Sequence, residues 1–288
     1  VWEVVSVAFA VLAALGNAVA SVLQRLGAAP KPSTRRALAW ARHLLRDRVW
    51  LAGAGVLALS GASQAAALAT GRLAVVQPVM TTELPFTLVV GSLLFRSRPD
   101  RRTWLAFAAM TAGLAALLWM VRPSHGVPSV PGERWLVVGV GACVAIAVLS
   151  AVATQLPSAP KAAVLGSATA VAFALTAALM KDATGRINDG WSALFTAWQT
   201  YTVAVVGLFG FLMLQLTFRA GTLVASQPAL TLGDAFLSVV LGALLFEERL
   251  TLGVWVLPEI AALALISFGS FQLARAPAVA GHTREETW

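Results

Sequence analysis

Two acidic residues, Glu83 and Asp234, stand inside apolar stretches that copy one another about 150 positions apart, and no lysine or arginine lies at matching depth. A carboxylate so placed does its chemistry by exchanging a proton or holding a cation. An ionised side chain at the centre of a membrane-spanning helix costs roughly 2.5–3.5 kcal/mol, so it normally faces protein or a water-filled cavity. A third acid, Glu259, follows Pro258 in the last apolar run. Three unneutralised charges would together cost about as much as a whole domain's stability. A mobile positive species that visits them resolves the conflict.

Helical spacing groups other polar residues around these acids. Gln227, Thr231, Asp234 and Ser238 fall at i, i+4, i+7 and i+11, on one face of a helix. Glu83 shares a face with Thr87, Gln77 lies upstream of it, and Gly91 continues the face as a notch for close helix approach. These residues, with Glu259, are the expected substrate- or cation-binding set. A second set is expected to line the path: Asn17, Ser21 and Gln24 as a stripe, and Gln199 (paired with Thr202), Trp198 and Tyr201, the two aromatics as walls for a flat or cationic substrate. The other reading of such amides and hydroxyls is hydrogen bonding between helices. Pro78, Pro85, Pro228 and Pro258 each remove a backbone donor and release the carbonyl four residues earlier, on Ala74, Thr81, Val224 and Val254. Thr81's carbonyl is expected close to Glu83, although proline kinks in membrane helices also serve structure alone.

The elements that must position these groups follow from composition. The chain is 58% hydrophobic and 12% charged, against roughly 45–50% and 25% in soluble domains. Several apolar runs reach the roughly 20 residues a helix needs to cross a bilayer. Alternating strands of barrel length are absent, so the expected fold is an all-α polytopic membrane helix bundle. Nine spans are expected, at 3–23, 50–70, 73–95, 103–121, 135–155, 162–181, 191–217, 222–246 and 251–273. The first is too long, and followed by too many others, to be only a cleaved signal. Trp50, Trp104, Trp135 and Trp191 open spans, where an indole ring sits among headgroups with its N–H wet.

The net charge of +8 gathers in the connections between spans, which argues for orientation rather than nucleic-acid binding. Arg25, Lys31, Arg35, Arg36, Arg42, Arg46 and Arg48 mark the 24–49 connection as cytoplasmic, and Arg96, Arg98, Arg101 and Arg102 do the same after the third span. That count places the N-terminus outside and the C-terminus in the cytoplasm. Residues 33–48 read as an interfacial helix on anionic headgroups, with a regulatory or partner-binding role as the alternative. Arginine outnumbers lysine and alanine is abundant, as in a GC-rich bacterial genome, so a bacterial cytoplasmic membrane is the expected location.

The two copied stretches share an order: Gly71 or Gly221, then Gln77-Pro78 or Gln227-Pro228, then the acid, a hydroxyl four residues on, and Leu93-Leu94-Phe95 or Leu244-Leu245-Phe246. With nine spans the copies point in opposite directions, as an inverted repeat of five and four spans: residues 1–157, then 158–273, with a polar tail over 274–288. Such repeats place a site near the bilayer midplane and alternate its exposure by rocking. These residues resemble the drug/metabolite transporter superfamily of the EamA-like kind, especially the ending at 242–250 with Glu247-Glu248-Arg249-Leu250. The nine-span layout and the early run at 20–25 are also similar to the NIPA-like magnesium transporters. The resemblance implies a secondary-active transporter of a small solute or, by its narrower form, passage of Mg²⁺; for that ion the oxygens of Glu83 and Asp234 are the expected ligands from their chemistry.

Other classes fit less well. Cys143 is the single cysteine, so neither disulfides nor a thiolate metal site is available. Ser63 follows Gly61-Ala62, but His43, His125 and His282 all lie outside the spans, which leaves no histidine base for an intramembrane protease. Gly139 and Gly141 have no strand before them, so they read as helix-packing residues rather than a dinucleotide motif. No enzyme activity and no cofactor are expected. A membrane protein that transports nothing is the remaining alternative.

Overall fold

The computed structural model describes residues 2–27, 46–94, 101–120, 127, 129–220, 223–248, and 261, 262, 264, 265, 268, 269 and 272. Helices make up its regular structure: α1 (Trp2–Gly27), α2 (Arg48–Thr70), α3 (Leu73–Met80), α4 (Glu83–Leu94), α5 (Arg101–Met120), α6 (Gly132–Thr154), α7 (Ser158–Gly185), α8 (Trp191–Thr196), α9 (Trp198–Ala220) and α10 (Leu223–Phe246). Among the described residues no strand occurs, and seven helical segments are long and apolar enough to cross a membrane. They are Trp2–Gln24, Arg48–Thr70, Leu73–Leu94 (α3 and α4 together), Gly132–Thr154, Pro160–Gly185, Trp198–Thr217 and Ala229–Phe246. The expected fourth span is the helix α5, whose apolar part is the shorter Trp104–Gly113. The expected ninth span, the 33–48 interfacial helix over 33–45, the tail and the three histidines lie outside the described residues, apart from scattered helical positions between 261 and 272.

α7 is the hub of the bundle, packing against α10, α9, α6 and α2, while α1 packs along α2 and touches α3 and α4. Small residues permit these approaches. A Cβ on Gly166 would stand 2.8 Å from the Ser226 carbonyl oxygen, one on Gly233 2.8 Å from the Ala170 methyl, and one on Gly16 2.9 Å from Ser60 Cβ. The largest core cluster joins Leu73, Val76 and Val79 of α3 to Leu179 of α7 and to Leu245 and Phe246 of α10. The outward faces are apolar as well: Val137, Val140, Val144 and Val148 of α6 are exposed, a surface suited to hydrocarbon and not to water. Gly139 and Gly141 face open space among the described residues, whereas Gly91 is buried.

The steric distances set a direct test. Gly166→Val must push α10 away from α7, because the atom it meets is backbone and cannot rotate aside. Thermal melting in detergent should register a loss of about 1–3 kcal/mol. Gly141→Ala, in open space, should be neutral or stabilising by up to ~1 kcal/mol through helix propensity.

Two span boundaries differ from expectation. The seventh span starts at Trp198, because Ala197 is extended and Gly190, with φ +110°, opens a separate short helix at Trp191. The third span is broken between Met80 and Glu83. Pro85 cannot donate to Thr81, and the Leu84 N–H turns back to the Thr81 carbonyl at 3.3 Å. The second copy has Ala235 and Phe236 at the corresponding place, and α10 runs unbroken. The start of α2 was missed by sequence reading: Asp47 caps it, accepting from the Trp50 N–H at 2.8 Å.

Candidate functional site

The helix break gives Glu83 a setting that its position in the sequence concealed. It is the first residue of α4, where a carboxylate is favoured by the helix dipole. Asn17 of α1 donates from Nδ2 to Glu83 Oε2 at 3.1 Å, and the Ser60 hydroxyl of α2 lies 2.7 Å from Asn17 Oδ1. Glu83 is therefore a partnered acid, contrary to the expectation of a stranded charge. Thr87 turns its hydroxyl back to the Glu83 carbonyl at 2.8 Å, and Thr81's own carbonyl is occupied by Leu84. Asn17→Leu should lower thermal stability by about 1–3 kcal/mol, because it removes a donor from a half-buried carboxylate. The double change with Glu83→Leu should recover most of that loss, and simple additivity in the melting data would refute the coupling.

Asp234 is different. Among the described residues its buried Oδ1 has no hydrogen-bond partner, and neither has the Ser238 hydroxyl one turn further along the same face of α10. Thr231 is buried on that face one turn earlier. Among the described residues no lysine or arginine pairs with Asp234. Buried polar atoms in folded chains are almost always satisfied, so two orphans in consecutive turns mark a place built for something else. Gln77 is buried on α3. Gln227's side chain and Glu259 lie outside the described residues. No three His, Cys, Asp or Glu side chains gather as a metal-holding group among the described residues.

The expected lining residues divide. Asn17 joins the Glu83 cluster, Ser21 is half-buried, and Gln24 packs against Gly53 of α2. Gln199 is buried and donates to Asp182 Oδ2 at 2.8 Å, while its own Oε1 has no partner among the described residues. Trp198 and Tyr201 are exposed instead of walling an interior path. Tyr201 donates to the Phe195 carbonyl at 2.8 Å.

Sequence reading missed two buried acids that the fold makes central. Asp182 of α7, fully buried, accepts from the Val130 N–H at 3.1 Å, from Trp135 Nε1 at 2.7 Å and from Gln199. Trp135 is thus buried with its N–H on a carboxylate, not wet among headgroups, and its ring meets Trp198 edge-on at 6.0 Å. Glu248, just past α10, is 2% exposed. It accepts from the Leu73 and Ala74 N–H groups at 2.9 and 3.1 Å and pairs with Lys181 Nζ at 2.8 Å. The adjacent charged pair Lys181-Asp182 closing an apolar run was the available signal.

Seven bilayer-length helices, apolar outer faces and polar groups kept inside define the class: an all-α, multi-pass membrane protein. Within it, the chain is 30% identical over 215 residues to an uncharacterized protein of Corynebacterium glutamicum, with 74% of each chain covered. It belongs to that protein's family. No family model matches the chain, and no solved structure matches it.

Proposed function

We propose that the chain is a secondary-active transporter of a small solute, driven by exchange of a proton or cation at Asp234. One observation carries this reading: Asp234 Oδ1 and Ser238 Oγ are buried in consecutive turns of one apolar helix, without partners among the described residues. A transporter needs such a group, because a carboxylate that is already satisfied has nothing to exchange. The break before Glu83 supports it, since interrupted helices line the sites of many transporters. The contact between the end of α10 and the start of α3 supports the antiparallel arrangement of an inverted repeat of five and four spans. The residue pattern shared with the EamA-like transporters points the same way. The location that goes with this reading is a bacterial cytoplasmic membrane, N-terminus outside.

The test is proton movement in proteoliposomes containing the purified chain and a pH-sensitive dye inside, challenged with a panel of cationic and neutral solutes. Solute-dependent proton release that empty vesicles lack supports the reading. A panel that moves no protons and no labelled solute counts against it. Substituting Mg²⁺ for the solute tests magnesium passage, in which the Asp234 and Ser238 oxygens would replace part of a hydrated ion's shell.

A further inference from the structure

α3 begins without a side-chain cap of its own, because the Arg72 side chain accepts nothing and its carbonyl serves only Val75 and Val76. Glu248 supplies it from 175 residues away, with both carboxylate oxygens on the Leu73 and Ala74 N–H groups. Lys181 of α7 binds that carboxylate, donates to the Gly71 carbonyl at 2.8 Å, and lies 5.0 Å from the centre of the Phe246 ring. Three elements are thus fastened at a single point. The fastening needs a special backbone: Glu247 sits at φ 56°, left-handed and unfavourable for a side-chain-bearing residue, so that the Glu248 N–H returns to the Gly242 carbonyl at 3.1 Å. Gly242 is required beneath it, because a Cβ there would collide with the Glu248 carboxylate.

The location matters as much as the geometry. Asp234, Ser238 and Gly242 succeed one another at intervals of four, so the orphan groups lie one and two turns, roughly 6 and 12 Å, below the fastening. Any opening of the stripe at this end must part the end of α10 from the start of α3. We propose that the Glu248–Lys181 clasp is the gate that closes the Asp234–Ser238 stripe at this end, an inference that rests on the transport reading for its purpose but not for its geometry. Opening exchanges the two amides and the ammonium for water. The left-handed turn at Glu247 relaxes as the clasp lets go.

The experiment uses the full chain in vesicles, in a Cys143→Ser, Ser238→Cys background, and measures reaction with a membrane-impermeant maleimide added from the side that carries Glu248. The parent should label slowly, and Glu248→Gln should label about tenfold faster or more, since loss of one charge weakens a buried pair severely. Lys181→Gln with Glu248→Gln removes both charges, avoids a stranded ion, and should label as fast as the single change. Equal, slow labelling in all three proteins, with melting lowered in the two variants, would reduce the clasp to a structural fastener. Labelling is read without solute, so accelerated labelling beside an unsubstituted chain that moves nothing in the flux assay keeps the gate and sinks only the transport reading.

Discussion

Asp234→Asn is expected to reduce solute-dependent proton movement to the level of empty vesicles while leaving the melting temperature unchanged or raised. The two halves of this result come from one fact. The carboxylate has a buried oxygen with no partner among the described residues, so that oxygen makes no hydrogen bond that asparagine would lose. Burying an ionisable group without compensation costs free energy, and relieving it commonly returns on the order of 1–3 kcal/mol. Function is lost because an amide neither releases a proton nor balances a cation. Groups kept at the expense of stability concentrate where a protein acts. Proteoliposome flux beside a detergent melt decides the matter: unchanged coupling removes Asp234 from the mechanism, and a large drop in melting shows that it has a structural partner.

Asp182→Ala should do the reverse. Here the carboxylate is saturated by the Val130 N–H, the Trp135 indole and the Gln199 amide, donors from three places in the chain. Removing it strands three buried donors, each costing about 1–3 kcal/mol. A total of roughly 3–5 kcal/mol, the usual penalty for breaking a buried charged network, should leave the chain poorly folded or markedly less stable. Asp182→Asn, which keeps one acceptor oxygen, should lie between. Thermal melting followed through size-exclusion recovery reads the order wild type, Asn, Ala. A fully stable Asp182→Ala protein would show that the network around Trp135 does not hold α6, α7 and α9 together. The two aspartates share a residue type and each has a buried carboxylate oxygen, and their opposite expected effects follow from hydrogen bonding.

Glu83 shows how such distinctions escape a linear reading. By position it matches Asp234 closely, an acid in the middle of a copied apolar run with a hydroxyl four residues later. In the fold it is the opening residue of a helix and is held by Asn17, 66 residues away. The second proline of the first copy, Pro85, was visible, but its consequence was placed on the Thr81 carbonyl, which the Leu84 N–H fills. The break in the backbone was the larger effect. Trp135 was likewise assigned to the headgroup zone because tryptophans open spans, yet its partner Asp182 lies 47 residues downstream and draws it inside.

What the amino-acid order determined alone is the set of apolar segments and the face each polar stripe shares. Both depend only on local quantities: how many consecutive side chains prefer hydrocarbon, and a rise and rotation per residue that are the same in every α-helix. Seven of the nine expected spans are bilayer-length helices among the described residues, and Thr231 and Ser238 are buried on the face they share with Asp234. Which acid is satisfied and which is left open was decided only by tertiary packing. Glu248 reaches Leu73 across 175 residues and Asn17 reaches Glu83 across 66, and no spacing rule encodes a hydrogen bond between helices that meet only once the chain has folded.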